Sequence, residues 1–272
     1  MTWRISTGPL VPLAAVVVVL VLGLPVLTLL ARAVAGGELA SAAGSPSVLG
    51  ALALSLATTA VSLLMTVTLG TPLAWLLARH RFRGRAIVDA IVELPIVLPP
   101  SVAGLALLLL FGRRGPLGAA LDGIGLSVAF TTAAVVLAQV FVSAPFYVAA
   151  ARAGFAGVHR DLEDAARVDG AGEWAVFRHV TAVIAQPSLI AGATLAWARS
   201  LGEFGATIMV AGNIPGVTQT LPLVVYAEFQ SSLDASVAAA AILVVAALAF
   251  LVALRLVRGR HGVEPSIAPA LP

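Results

Sequence analysis

The residues of this chain that could do chemistry are few, and their spacing decides which chemistry is open. Cysteine is absent, so there is no disulfide, thiolate metal site or thiol nucleophile. His159 and His179 are not at metal-pair spacing, and no glycine loop ends in Gly-Lys-Ser/Thr to cradle a phosphate. Two groups of ionisable side chains stand out as candidates. Asp161, Glu163, Asp164, Asp169 and Glu173 are five of the thirteen acidic residues, and all fall in RDLEDAARVDGAGEWAVFRHVT, residues 160–181. Asp89, Glu93, Arg199 and Glu203 lie near long apolar runs, where ionisable side chains are expensive and usually face an interior. They read either as a proton relay or substrate contact, or as interfacial and packing ion pairs.

The elements that must position these groups are set by composition. The 272 residues are 60% hydrophobic and 11% charged, against roughly 25% charged in soluble domains. So few polar residues cannot screen so apolar a chain from water, so its solvent is lipid. All sixteen basic residues are arginine and cluster beside apolar runs, a pattern of membrane topology rather than of nucleic-acid binding.

A span needs about 20 apolar residues. Six candidates meet this: 10–31, 51–77, 86–111, 127–151, 182–201 and 236–257. The first is longer than a signal-peptide core of ~7–15 residues and is expected to stay as a span. The fifth is interrupted by Gln186, Pro187 and Arg199. Residues 203–230 are apolar but broken by Gly and Pro, and read as a re-entrant or interfacial segment. Pro95, Pro99 and Pro100 each remove a backbone donor, so the third candidate must bend or break, which suits a gate. No span contains histidine, which argues against an intramembrane metallo-enzyme.

Arg4, Arg79, Arg81, Arg83, Arg85, Arg152, Arg160, Arg167, Arg178, Arg255, Arg258 and Arg260 fall on one side of this arrangement. The other side has Arg32, Arg113, Arg114 and Arg199. The positive-inside rule then puts both termini and residues 160–181 in the cytoplasm. The fold class is all-α: a polytopic membrane protein with six transmembrane helices and one charged cytoplasmic segment.

Within that segment Asp161 is expected to cap a helix whose third residue is Asp164. Asp161, Glu163 and Asp164 suit the positive end of the helix dipole. Glu163 and Arg167 are spaced as an i,i+4 pair. Ala165 and Ala166 keep the surface low, and Gly170 can take a left-handed turn into a second short helix, EWAVFRHV.

EDAARVDGAG resembles the EAA motif of ABC importer permease subunits, with Asp164, or Glu163 one place earlier, at the glutamate position. The family pattern goes on to Ile-x-Leu-Pro, where this chain reads Val180, Thr181, Ala182 and Val183. ELPIVLPPSVAGLALLLLFGRRGPLG (93–118) and ARSLGEFGATIMVAGNIPGVTQTLPLVVY (198–226) resemble the oxyanion branch, and TQTLPL looks like the molybdate type. The resemblance covers about 48–257 and implies a type I importer permease. Residues 1–47 would then be a first span with an external loop, 48–257 the permease core, and 258–272 a cytoplasmic tail.

The resemblance further implies a homodimer, two ATP-binding cassette subunits docked on a coupling segment at Glu163, Asp164, Ala165, Ala166 and Gly170, and an external substrate-binding protein. This chain would bind no cofactor, would not be an enzyme, and ATP would be used by the partner. Pro99, Pro100, Glu203, Thr207, Gly212, Asn213, Pro215, Gly216, Thr218 and Thr220 are the gate and path candidates. An anion that must leave again favours hydroxyl and backbone donors over a dense arginine ring. Sulfate, thiosulfate or tungstate permeases remain alternatives, as does an ion-coupled secondary transporter, which should carry internal repeats that are not visible here.

Overall fold

The computed structural model describes residues 10–260, so Arg4, His261 and the tail at 261–272 lie outside the described residues, as do the side chains of Arg258 and Arg260. The described residues form helices α1 (Leu10–Ala35), α2 (Glu38–Gly44), α3 (Pro46–Arg79), α4 (Arg85–Val97), α5 (Pro100–Phe111), α6 (Pro116–Asp122) and α7 (Thr132–Ala156). There follow α8 (Arg160–Val168), α9 (Glu173–Val176), a π-helical stretch Phe177–Thr181, α10 (Ala182–Leu201), α11 (Gly205–Ala211), α12 (Leu221–Phe229) and α13 (Leu233–Arg260).

Among the described residues, five helices are long and apolar enough to cross a membrane: Leu10–Ala35, Pro46–Arg79, Thr132–Ala156, Glu173–Leu201 and Leu233–Leu256. The third sequence candidate, 86–111, is not one continuous helix. It is the pair α4 and α5, bent by 118°, and counts as a sixth span only if the pair is taken together. The break falls at Leu98 and Pro99, with Pro100 opening α5, where its missing N–H costs nothing. Pro95, by contrast, is absorbed inside α4. The fourth candidate starts later than expected, at Thr132, because Phe130 has φ 60 and ends the preceding loop. Pro187 is also tolerated, inside α10.

Three apolar clusters hold the helices together. Ala74 and Leu77 of α3 pack with Tyr147, Val148, Ala151 and Phe155 of α7 and with Ala185 and Ala196 of α10. Ala103 and Leu107 of α5 pack with Ala134, Val135 and Ala138 of α7 and Ala206 and Val210 of α11. Val48 and Ala51 of α3 pack with Leu221 and Val224 of α12 and Ala239 of α13. Helix association in lipid relies on close approach and interhelical hydrogen bonds more than on a hydrophobic drive. Small residues supply the approach: a Cβ on Gly104 of α5 would meet the Ala206 carbonyl oxygen of α11 at 2.5 Å.

Polar residues supply the bonds. Ser55, Thr58, Thr59, Ser62 and Thr66 recur at helical spacing along α3 and are all buried. Gln139 Nε2 of α7 donates to Thr58 Oγ1 at 3.2 Å, and Ser62 Oγ donates to Ser200 Oγ of α10 at 3.3 Å. Ser55 Oγ accepts the Leu221 N–H at the start of α12, 2.7 Å away. The ends of α3 and α7 and the start of α10 converge on the 160–181 segment, which α3 meets at Arg79.

Candidate coupling and translocation sites

Helix α8 forms where the charge pattern places it, with Asp161 and Glu163 in its first turn. Its N-cap is His159, however, and carries no side-chain cap bond, so Asp161 lies inside the helix rather than capping it. The carboxylates near the positive helix end stabilise it through the dipole instead. The C-terminus is closed as a Schellman turn. Ala171 N–H donates to the Ala166 carbonyl and Gly170 N–H to that of Arg167, both at 3.0 Å, with Gly170 at φ 89.

The expected Glu163–Arg167 pair is not formed. Glu163 turns inward and is 6% exposed. Its Oε1 accepts Arg79 Nη2 at 2.8 Å and the Thr181 hydroxyl at 2.6 Å. Long-range partners outcompete a helix-surface pair that gives only about 0.2–0.5 kcal/mol. Arg167 instead joins Asp164 (2.7 Å) and Glu173 (2.7 and 3.1 Å), bridging the glycine turn to α9.

The outer face of the segment keeps Asp164 and Ala165 exposed and Ala166 half-buried. Apolar side chains stand among the charges: Leu162, Val168 and Trp174 are 49%, 86% and 69% exposed. Ala165 and Ala166 keep this face low between the carboxylates. Beside it a cavity of about 250 Å³ is lined by Arg79, Arg160, Glu163, Asp164, Arg167 and Glu173, among others. Where the family pattern has Leu-Pro, Ala182 and Val183 let the helix run on from Glu173 to Leu201 with only the π-helical widening at Phe177–Thr181.

The gate and path candidates gather around α11. Pro99 and Pro100 form the corner between α4 and α5. A Cβ on Gly205 would lie 2.8 Å from that of Pro100, so the corner rests on the start of α11. Glu203 is 1% exposed; it pairs with Arg199 and its Oε1 accepts the Ala206 N–H at 2.6 Å. Gly212 has φ 73 and ψ −157, a region essentially restricted to glycine, and Gly216 has φ 74. Pro215 is exposed beside it.

Thr218 Oγ1 accepts the Ile214 N–H at 2.9 Å, so it closes the 212–218 turn. Thr207, Thr218 and Thr220 are 0%, 0% and 1% exposed and face the interior of the single subunit. Thr207 Oγ1, Asn213 Oδ1 and Thr220 Oγ1 are buried without a hydrogen-bond partner. Asp89 is paired with Arg152 at 2.6 Å and Arg85 at 3.7 Å, fastening α4 to α7, whereas Glu93 is exposed.

Sequence reasoning missed Arg79, which reads as a topology anchor, and Thr181, which reads only as a departure from the family pattern. It also missed the polar face of α3, whose three- and four-residue spacing was there to be found. Phe130 left no local signal: a bulky residue with positive φ is uncommon.

Residues 70–258 match the family described as "Binding-protein-dependent transport system inner membrane component". The chain is 46% identical over 203 residues to the molybdenum transport system permease protein ModB of Mycobacterium tuberculosis (strain ATCC 25618 / H37Rv), covering 75% of this chain and 77% of that protein. It is 44% identical over 202 residues to ModB of Escherichia coli (strain K12), covering 74% and 88%. Identity is 33% over 214 residues, covering 78% and 74%, to a probable sulfate transport system permease protein cysT of Anthoceros angustus. A crystal structure of a bacterial ABC transporter involved in import of the acidic polysaccharide alginate has the same fold, with TM-score 0.73, 17% identity and coverage of 92% of this chain and 94% of that one.

Proposed function

The chain belongs to the family of binding-protein-dependent transport system inner membrane components, and on that premise we propose that it is the membrane-spanning subunit of an ATP-driven importer of molybdate. The observation that carries the substrate is the identity of 44–46% to molybdenum permeases, against 33% to a sulfate permease. The TQTLPL stretch, which resembles the molybdate type, forms the Thr218 turn and the start of α12.

In this reading two copies of the chain surround one path, and two ATP-binding subunits dock on residues 160–181. An external binding protein delivers the anion to the opposite face. Both termini and the 160–181 segment lie in the cytoplasm, in keeping with the arginine bias. The chain binds no cofactor of its own, and ATP is used by the partner subunit. Glu163 anchors the docking segment from within, while Asp164, Ala165, Ala166 and the Gly170 turn present it. Pro99, Pro100 and the Gly212–Gly216 turn form the gate, and Glu203 and Thr218 hold its backbone. Thr207, Asn213 and Thr220 are the path candidates through their hydroxyl and amide N–H donors, which reach the anion once opening of the gate uncovers them. Their weak, dispersed polarity suits an anion that must leave again.

The test is ligand-stimulated ATP hydrolysis by the purified complex of this chain, the ATPase subunit and the binding protein. Hydrolysis should rise with molybdate and less with sulfate, and tungstate is the informative competitor. Stimulation by sulfate alone would move the chain to the sulfate branch. Two differently tagged copies that fail to co-purify would remove the homodimer.

A further inference from the structure

Glu163 is the only buried residue of α8. A helix that docks a partner must be tied to the membrane helices it moves, and apolar packing does not tie this one. The tie is a carboxylate. Glu163 Oε1 accepts Arg79 Nη2, from the last residue of α3, and the Thr181 hydroxyl, from the last residue before α10. Arg79 Nη2 also donates to the Val158 carbonyl at 3.1 Å, and Arg160 Nη2 reaches the Arg79 carbonyl at 3.5 Å. Together with the Arg167–Glu173 bonds to α9, these are, among the described residues, the side-chain hydrogen bonds that lead from α8 and its entry to neighbouring elements. The Arg79 and Glu163 side chains are 10% and 8% exposed, so solvent screens the pair little. Arg79 Nε is buried without an acceptor, so the guanidinium engages through one nitrogen only.

A buried ion pair adds less to stability than apolar packing of the same volume, because desolvation offsets the attraction. What it supplies is direction: its bonds fix where α8 sits relative to two membrane helices.

We propose that Arg79, Glu163 and Thr181 are positioning residues for coupling, clamping the docking helix to the end of α3 and the start of α10 so that one displacement of α8 moves both. The proposal rests on the reading that residues 160–181 dock the ATPase. A force applied to α8 then reaches α3 and α10 through bonds to a single carboxylate oxygen. Without the clamp, α8 can remain seated on its partner while the membrane helices fail to follow.

The experiment uses the full complex of the chain, the ATPase subunit and the binding protein in lipid nanodiscs and in vesicles. Glu163→Gln removes the charge with little change of shape, and Arg79→Lys keeps the charge with a different reach. Because the natural chain has no cysteine, a third variant carrying both Arg79→Cys and Glu163→Cys can be joined by a short bifunctional thiol reagent. With Glu163→Gln the ATPase should still co-purify, while molybdate uptake and the ratio of stimulated to unstimulated hydrolysis fall at least tenfold. Arg79→Lys should retain part of both. Cross-linking the double-cysteine variant should restore uptake severalfold per folded complex at unchanged ATPase co-purification, which lost charge alone would not predict.

Normal uptake by Glu163→Gln would overturn the proposal. So would a loss of ATPase binding, hydrolysis and uptake in proportion to folded protein, with no recovery on cross-linking. If the ATPase does not bind the unmutated chain at all, the docking reading itself fails and takes the clamp with it.

Discussion

Glu203 accepts the backbone N–H of Ala206 at 2.6 Å while its other oxygen pairs with Arg199. The residue at the N-cap of α11 is Phe204, which cannot cap a helix with its side chain, and Glu203 performs that task from one place earlier. The carboxylate therefore secures the join between α10 and α11. Removing one partner of a buried pair costs about 3–5 kcal/mol, and the lower end is expected here because the Arg199 side chain is 28% exposed. Glu203→Gln keeps an acceptor for Ala206, whereas Glu203→Ala loses cap and pair together. Thermal unfolding in detergent should rank the natural chain above Glu203→Gln and that above Glu203→Ala. Equal melting of all three would remove the capping role.

Gly212 makes two demands on its position. Its dihedrals are glycine's own, and an added Cβ would lie 3.2 Å from the Phe130 ring. Gly212→Val should reduce uptake while the ATPase still assembles. Pairing Gly212→Ala with Phe130→Ala clears the space but leaves the backbone strained by about 1–3 kcal/mol. The double variant should therefore stay impaired. Full uptake by it would mean that space alone sets the requirement.

Gly170 is exposed at φ 89, and a Cβ there would meet nothing within 4 Å. Substitution then acts through backbone strain of about 1 kcal/mol or more and through what protrudes from the turn. Gly170→Asp and Ala166→Trp should leave insertion and dimerisation intact and weaken co-purification of the ATPase. If both variants retain the ATPase and transport normally, the segment is not the docking site.

Orientation is open to cysteine labelling, and the structure guides the positions. A side chain at Gly115 would strike the Leu109 carbonyl oxygen at 2.2 Å, so that residue is unsuitable, and Gly84 has φ 88. Arg83 and Ala120 are exposed. An impermeant thiol reagent applied to intact cells should label a cysteine at 120 and not one at 83. The reverse pattern would invert the proposed topology.

The parts that local rules govern were legible in the sequence. The Gly170 turn follows from a helix that needs a left-handed residue at its end, and the break at Pro99 follows from lost donors. Glu163 was misread because its partner is 84 residues away, while an arginine four residues on satisfied the local pattern. Asp161 failed as a cap because the helix begins at Arg160, one residue before it. The buried threonines of the α11–α12 segment read as polar contacts for a ligand. In the fold Thr218 is committed to its own turn, and only packing reveals that.

The most direct measurement of the central claim is molybdate accumulation in sealed vesicles containing this chain, with ATPase subunit, binding protein and ATP each added or withheld. Accumulation should require all of them and should survive collapse of ion gradients. Accumulation by the chain alone, or accumulation driven by an ion gradient without ATP, would contradict the account.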